Sequence, residues 1–250
     1  GAQDAATSAA AVADTGARWR GAATASANLL FGAADQRVLD ARLTAGRTGR
    51  VHAVRAELQG GYGDALGPEA DAVRKVIVRS VRLSGGWDRN PTARLSPFAF
   101  ALVESSLQQR LALRTSGGAG AKYTFWRGAA AEDLSVSLAV LGEETRALTR
   151  PDVPSGPAGG EGTRLRASLR LRARRRLDER WRVAHVTFWQ PTIGAARRTT
   201  IETTTEVAHA LRAGLDLTAT LRDRYDREAR RRGARSNHDG QLLVGVRAAF

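Results

Sequence analysis

The sequence predicts a single transmembrane β-barrel, all-β, antiparallel and up-and-down, of about twelve strands. Three observations carry that reading. The first is residues 163–176, TRLRASLRLRARRR. Leu165, Ala167, Leu169, Leu171 and Ala173 take turns there with Arg164, Arg166, Ser168, Arg170, Arg172 and Arg174. A period of two is a strand, because successive Cβ atoms point to opposite faces. One face of this strand is apolar and the other intensely basic. A soluble sheet turns its apolar face to a core, whereas a membrane barrel turns it to lipid and the charges to the lumen. The second observation is that alternating segments succeed one another from Trp19 to Phe250, joined by connections that are tight and long in turn. The third is that aromatic residues gather at segment ends.

Residues 1–16 are small and polar without strand periodicity and read as a flexible periplasmic tail, with 5–13 able to form a short helix. Residues 17–250 read as one barrel domain, since no linker or shift in composition divides them. The first strand covers 18–31. The second, 37–47, sets Leu39, Ala41 and Leu43 against Asp40, Arg42 and Thr44. The third, 51–62, sets Val54, Ala56 and Leu58 against Arg55, Glu57 and Gln59. The fourth, 73–86, has a poor phase that points to a bulge. The fifth and sixth cover 95–104 and 110–126. The seventh, 133–141, sets Leu134, Val136, Leu138 and Val140 against Ser135 and Ser137. The eighth is the arginine strand. The ninth and tenth cover 181–190 and 199–211. The eleventh, 215–225, sets Leu215, Leu217, Ala219 and Leu221 against Asp216, Thr218, Thr220 and Arg222. In the twelfth, 240–250, Leu242, Val244, Val246, Ala248 and Phe250 share a face. Most of these segments reach the about 9–11 residues a tilted barrel strand needs.

With the first strand running upward, Thr48-Gly49, Asp178-Glu179-Arg180 and Arg212-Ala213-Gly214 are tight turns at the lower end. The stretches 63–72, 142–162, 191–198 and 226–239 are long and lie at the upper end, with 32–36 and 87–93 as exceptions. Outer-membrane barrels have short periplasmic turns and longer outer loops, so both termini are expected in the periplasm. Trp19, Trp87, Trp126, Trp181 and Phe250 fall at lower strand ends, and Phe31, Tyr62, Trp189 and Tyr225 at upper ends. Rings with a polar edge form girdles at the two interfaces of a bilayer.

The net charge is +14, and only Lys75 and Lys122 are lysines, which leaves 37 arginines among 39 basic residues. Such charge suggests an anionic partner, nucleic acid or phosphate-bearing lipid; a coding bias towards Arg and Ala explains part of it. No apolar run approaches the roughly 20 residues of a membrane helix. The absence of cysteine excludes disulfides and thiolate metal sites. The chain opens Gly1-Ala-Gln-Asp without methionine, which fits a removed signal peptide or an N-terminus left by cloning.

The closing Gly245-Val-Arg-Ala-Ala-Phe250 resembles the assembly signal of Gram-negative outer-membrane barrels, with Gly245 and Phe250 as its elements. Leu243 and Ala248 depart from it, where a polar and an aromatic residue are usual. The opening RWRGAATASANLLFGAADQRVLDARLTAGRTG, the mid-chain LRTSGGAGAKYTFW and the closing QLLVGVRAAF resemble the domain of unknown function 481 family, often labelled salt-induced outer-membrane protein. The resemblance covers most of 18–250 and rests on loose patterns of glycine, aromatics and strand spacing. It implies an outer-membrane barrel. Such a barrel is expected to meet the barrel-assembly machinery on insertion and to have outer-membrane lipid and other membrane proteins as partners. It carries no established activity and no catalytic residues.

Residues 116–122, SGGAGAK, have the look of a phosphate loop, but Tyr123 stands where its continuation requires Ser or Thr. Glycines in a barrel strand more often permit bending. His52, His185, His209 and His238 lie on separate segments without metal spacing, and no cofactor is expected. Glu202 and Glu206 share a face about 13 Å apart, too far for an acid–base pair at a rise near 3.4 Å per residue. No nucleophile–base motif appears, so the expectation is not an enzyme, with a lipid-degrading barrel as an alternative.

The lumen is the remaining candidate. Arg164, Arg166, Arg170, Arg172 and Arg174 are expected to line one wall, and Asp40, Arg42, Arg55, Glu57, Glu202, Glu206, Asp216 and Arg222 to face inward from other strands. Long arginines can fill much of an interior of this size. The plain reading is a charge-paired plug in a structural or accessory membrane protein. The sharper one is a narrow, anion-favouring pore. Arg227, Arg230, Arg231, Arg232 and Arg235 in the last loop are placed to meet lipopolysaccharide phosphates, which guanidinium binds in bidentate fashion, or to stay solvated. The rival from another class is a soluble, arginine-rich β-protein binding nucleic acid. It needs exposed aromatics among its basic residues for base stacking, and residues 163–176 have none.

Overall fold

The computed structural model describes residues 19–30, 36–66, 73–128, 132–148, 162–232 and 234–249. The predicted tail, Phe31 and Phe250 lie outside the described residues. Twelve strands follow in order: β1 (Trp19–Leu30), β2 (Gln36–Thr48), β3 (His52–Ala65), β4 (Lys75–Arg89), β5 (Leu95–Ser106), β6 (Leu111–Arg127), β7 (Asp133–Ala147), β8 (Gly162–Arg176), β9 (Trp181–Thr192), β10 (Ala195–Arg212), β11 (Leu215–Asp226) and β12 (His238–Ala249). Each pairs antiparallel with its neighbours, and β1 closes on β12 to complete the barrel. The seam runs from Ala22↔Ala249 to Ala27↔Val244. Gly245 faces Ser26 in it, and a Cβ there would run into the Ala25 carbonyl and Ser26. Glycine at this position lets two backbones approach and close the wall.

The alternation decides what the barrel shows to its surroundings. On β8, Leu165 is 53% exposed and Arg166 is 2% exposed. Leu39, Leu43, Leu58, Leu83, Leu138, Leu221 and Val244 join Leu165 in an exposed apolar belt. The buried set is largely polar, with Ser96, Arg114, Lys122, Ser135, Ser137 and Arg170 among its members. Hydrocarbon therefore covers the outside, and hydrogen-bonded polar groups fill the inside. A soluble sheet needs the reverse. The basic face of β8 is also enclosed, out of reach of a nucleic-acid strand.

Several elements differ from their predicted extents. β7 continues to Ala147 rather than 141, because beyond Gly142 both faces turn polar and the hydrophobic period disappears. Residues 191–198 are not a long loop. β9 and β10 meet through Ile193-Gly194, with Gly194 at φ 78°, and their register shifts between Ala195 and Thr199. Residues 107–110 between β5 and β6 are also short. The contrast of loop lengths thus holds for 227–237 but not at these two connections. β4 has its bulge at Ile77, since Gly63 pairs with Val78 and Asp64 with Val76. A second bulge on β6 leaves Phe125 without an opposite residue.

Candidate functional site: the barrel interior

Both the start of β1 and the end of β12 lie at one end of the barrel, whose connections 49–51, 90–94, 177–180 and 213–214 are short. This is the turn end, and the other is the loop end. The predicted inward residues all lie on the interior face. Arg164, Arg166, Arg170, Arg172, Asp40, Glu57 and Asp216 are buried, while Arg42, Arg55, Arg174, Arg222, Glu202 and Glu206 keep partial exposure.

In the loop-end half the charges form one network that crosses the lumen. Glu104 on β5 accepts hydrogen bonds from Arg114 on β6 at 2.9 Å and from Arg224 on β11 at 3.0 Å. Arg82 on β4 lies 3.6 Å from Glu104 and donates to both carboxylate oxygens of Glu202 on β10, at 2.8 and 3.3 Å. Arg114 goes on to Asp226 at 3.1 Å and stands 3.8 Å from Glu143 on β7, which holds Arg166 at 2.8 Å. β4 and β10 are opposite one another in the closed order, as are β5 and β11. Bonds between them can run only through the interior.

The connection between β11 and β12 covers part of this end. Its Glu228 is 3% exposed and pairs with Arg164 and, at 3.2 Å, with Arg198. The Glu228 amide donates to Asp226 Oδ1 at 3.0 Å, and the Arg227 amide to the Thr199 carbonyl at 3.2 Å. A lone acid within a run of arginines thus draws the loop inward. Arg227, Arg230, Arg231 and Arg235 remain exposed at the rim, and the Arg232 side chain lies outside the described residues.

Beside β2 the pairing is looser. Arg222 donates to both oxygens of Asp40 at 3.2 and 3.4 Å, Gln59 donates to Asp40 at 3.0 Å, and Arg42 lies 3.6 Å from Glu57. A cavity of about 100 Å³ opens among Arg42, Glu57, Gln59, Arg82, Glu202 and Arg222. Glu202 and Glu206 answer different arginines, since Arg247 takes Glu206 together with Asp216.

The turn-end half carries an excess of cations on the side of β3–β8. Asp88 binds Arg55 and lies 3.8 Å from Lys122. Asp133 binds Arg172 and Arg174. Arg170 donates to Ser137 at 2.9 Å and sits 5.8 Å above the Phe98 ring. Arg55 and Lys122 thus share Asp88, and Arg172 and Arg174 share Asp133, with Arg170 beside them on Ser137 and Phe98. Lys122 lies within electrostatic reach of Arg55, Arg170 and Arg172. In the turn outside the membrane, Asp178 accepts from the Arg180 and Trp181 amides, both at 2.7 Å, and these bonds hold its carboxyl below the usual range.

Sequence reasoning missed Arg82, Asp88, Glu104, Arg114, Asp133, Glu143, Arg224, Glu228 and Arg247. All but Glu228 stand on strands. The alternation was available for Arg224, two positions beyond Arg222, and for Glu143, which continues the phase of Ser135 and Ser137. Glu228 had only its sign as a signal. Of the aromatic residues, Trp19, Trp87, Trp126, Trp181, Tyr62 and Trp189 are exposed at strand ends and Tyr225 is half-buried there. Tyr123 and Phe125 add to the turn-end group with ring centres 5.0 Å apart. Among the described residues no group of three or more histidines and carboxylates is placed to hold a metal.

The family model described as "Protein of unknown function, DUF481" matches residues 23–250. The chain belongs to this family. With its closed barrel and lipid-facing belt, it is an outer-membrane β-barrel protein. No curated protein matches it in sequence. Among solved structures it is similar to a KdgM porin in complex with disordered oligogalacturonate, at 9% identity and a TM-score of 0.48, over 92% of this chain and 99% of that one. It is similar to the COG4313 outer membrane channel from Pseudomonas putida F1, at 13% identity and a TM-score of 0.47, over 97% of each chain. It is also similar to the anion-selective porin from Comamonas acidovorans, at 13% identity and a TM-score of 0.40, over 94% of this chain and 99% of that one.

Proposed function

We propose that the protein is a narrow, anion-favouring channel for small polar solutes and that it transforms nothing. The observation that carries this reading is the cavity among β2–β5 and β10–β12, where Arg42, Arg82, Glu202 and Arg222 on its border keep partial exposure. A side chain sealed in a plug has no reason to stay wet, whereas one along a path does. The packing of the other half keeps the path small. Preference for anions comes from the turn-end cations gathered around Asp88 and Asp133, because a low-dielectric wall focuses their field on a passing ion.

Planar-bilayer recording of the folded protein tests the reading. Small stepwise currents are expected, with a reversal potential under a KCl gradient that favours chloride. Lys122→Gln removes one turn-end charge and is expected to move that potential towards zero. A folded barrel that passes no steps overturns the channel, and a cation-favouring potential overturns the selectivity.

In this reading both termini are periplasmic and the loop end meets lipopolysaccharide, whose phosphates suit Arg227, Arg230, Arg231, Arg232 and Arg235. Replacing these five with Gln is expected to lower the lipopolysaccharide that co-purifies with the barrel. Unchanged lipid content removes this contact.

A further inference from the structure

The lipid-facing surface of β9 and β10 breaks the rule that the rest of the belt keeps. His185 Nδ1 lies 2.9 Å from the Thr205 hydroxyl, and His185 Nε2 lies 3.0 Å from the hydroxyl of Thr187, which is 3.2 Å from that of Thr203. These side chains are on the outer face. Thr187 is in register with the exposed Leu171, and Glu202, which flanks Thr203 in sequence, points inward to Arg82. On β9 the group lies midway between Trp181 and Trp189, so it sits at the centre of the hydrocarbon. Thr203 is in register with Asp223 on β11, 51% exposed, whose carboxylate is 3.7 Å from His238 Nδ1. A polar stripe therefore climbs from mid-membrane to the loop-end rim across β9–β12.

Both ring nitrogens of His185 are engaged, but the hydroxyls of Thr187, Thr203 and Thr205 keep hydrogen-bonding capacity beyond these bonds, and lipid offers them nothing. The closed barrel has no free edge, so whatever meets the stripe must meet it face to face. We infer that the stripe is the contact surface for a second copy of this chain, related by a twofold axis along the membrane normal. An isologous contact must complement itself. Hydroxyl groups, which both donate and accept, do so, and at the exposed rim the Asp223 carboxylate can accept from an imidazole N–H of the partner's His238. This inference does not depend on conduction.

The chain has no cysteine, so a single one reports alone. Thr203→Cys in oxidised outer membranes is expected to give at least ten times more covalent dimer than Leu58→Cys. Leu58 is an exposed belt residue on β3, which stands opposite β9 in the closed order. Thr187→Cys serves in the same way if Thr203→Cys does not yield a heat-modifiable barrel. Equal cross-linking at the stripe and at Leu58 overturns the proposal, as does an adduct whose mass is not that of two chains. Ultracentrifugation of the unmodified protein in mild detergent gives an independent decision. A species of two chains is expected, and monomer at every concentration overturns the inference.

Discussion

The two walls of the lumen are built from the same charged residues and end up in different states. On the β5–β8 side, the side chains of Arg114 and Arg166 are 4% and 3% exposed. On the remaining wall, formed by β10–β12 and β1–β4, those of Arg82 and Arg222 are 17% and 19% exposed. Pairing does not separate them, because all four face carboxylates. What differs is the filling between the charges. Phe98, Leu102, Ala139, Leu141 and Phe188 are buried around the first wall. There Gly120 also lets β6 come so near β7 that a Cβ would strike the Leu138 carbonyl. The other wall buries Val38, Val78 and Leu243, but the positions between them are Thr24, Ser26, Thr44, Gln59 and Ser80, which are polar and only half-buried. An ion pair dries a lumen only where apolar groups close the gaps around it.

The dry wall depends most on Arg114. Its guanidinium lies among Glu104, Glu143 and Asp226, all similarly buried. Arg114→Ala leaves those carboxylates without their shared cation in a dry environment. Breaking a buried pair in this way costs roughly 3–5 kcal/mol. Urea titration of the barrel in lipid vesicles is expected to show a loss of that size. A loss near zero would mean that water already reaches the β5–β8 wall and that the contrast between the walls is false.

Arg222→Ala probes the wet wall. Asp40 keeps Gln59, and water can replace the guanidinium. The stability loss is expected to be at most about 1 kcal/mol, as for partly solvated pairs. Conductance is expected to rise, because the lost side chain borders the cavity. A loss as large as that of Arg114→Ala would show the two walls to be equally closed.

The strand alternation made most of the fold legible. Leucine against arginine on β8 and leucine against serine on β7 each specify a face, and a face specifies which side meets lipid. The alternation fails where both faces become polar. That is why β7 past Gly142 and the start of β10 read as loop. Inward orientation was also legible, because a one-residue phase settles it. Partners were not. Arg82 reaches Glu202 across the barrel, 120 positions away in sequence, and nothing local records which strands stand opposite. The sealing of one wall was hidden for the same reason. It depends on Phe98 and Phe188, which sit on inward positions of strands whose apolar residues read as belt.

Asp178 gives the smallest effect and fixes the lower end of the scale. It sits in the turn between β8 and β9, in water, where neither wall bears on it. Its carboxylate accepts two backbone hydrogen bonds, which lower its pKa in the folded protein. A lowered folded pKa means that the carboxylate adds stability above its unfolded value, near 3.9, and that this gain is lost as the pH falls through the folded value. Asp178→Ala is therefore expected to destabilise the barrel slightly at pH 7 and to match the unsubstituted chain in strong acid. Two urea titrations, at pH 7 and below pH 3, check this. A difference that persists undiminished in acid would mean that the turn depends on the shape of the side chain rather than its charge. In that case charge in the open would be an unsuitable reference for charge along the two walls.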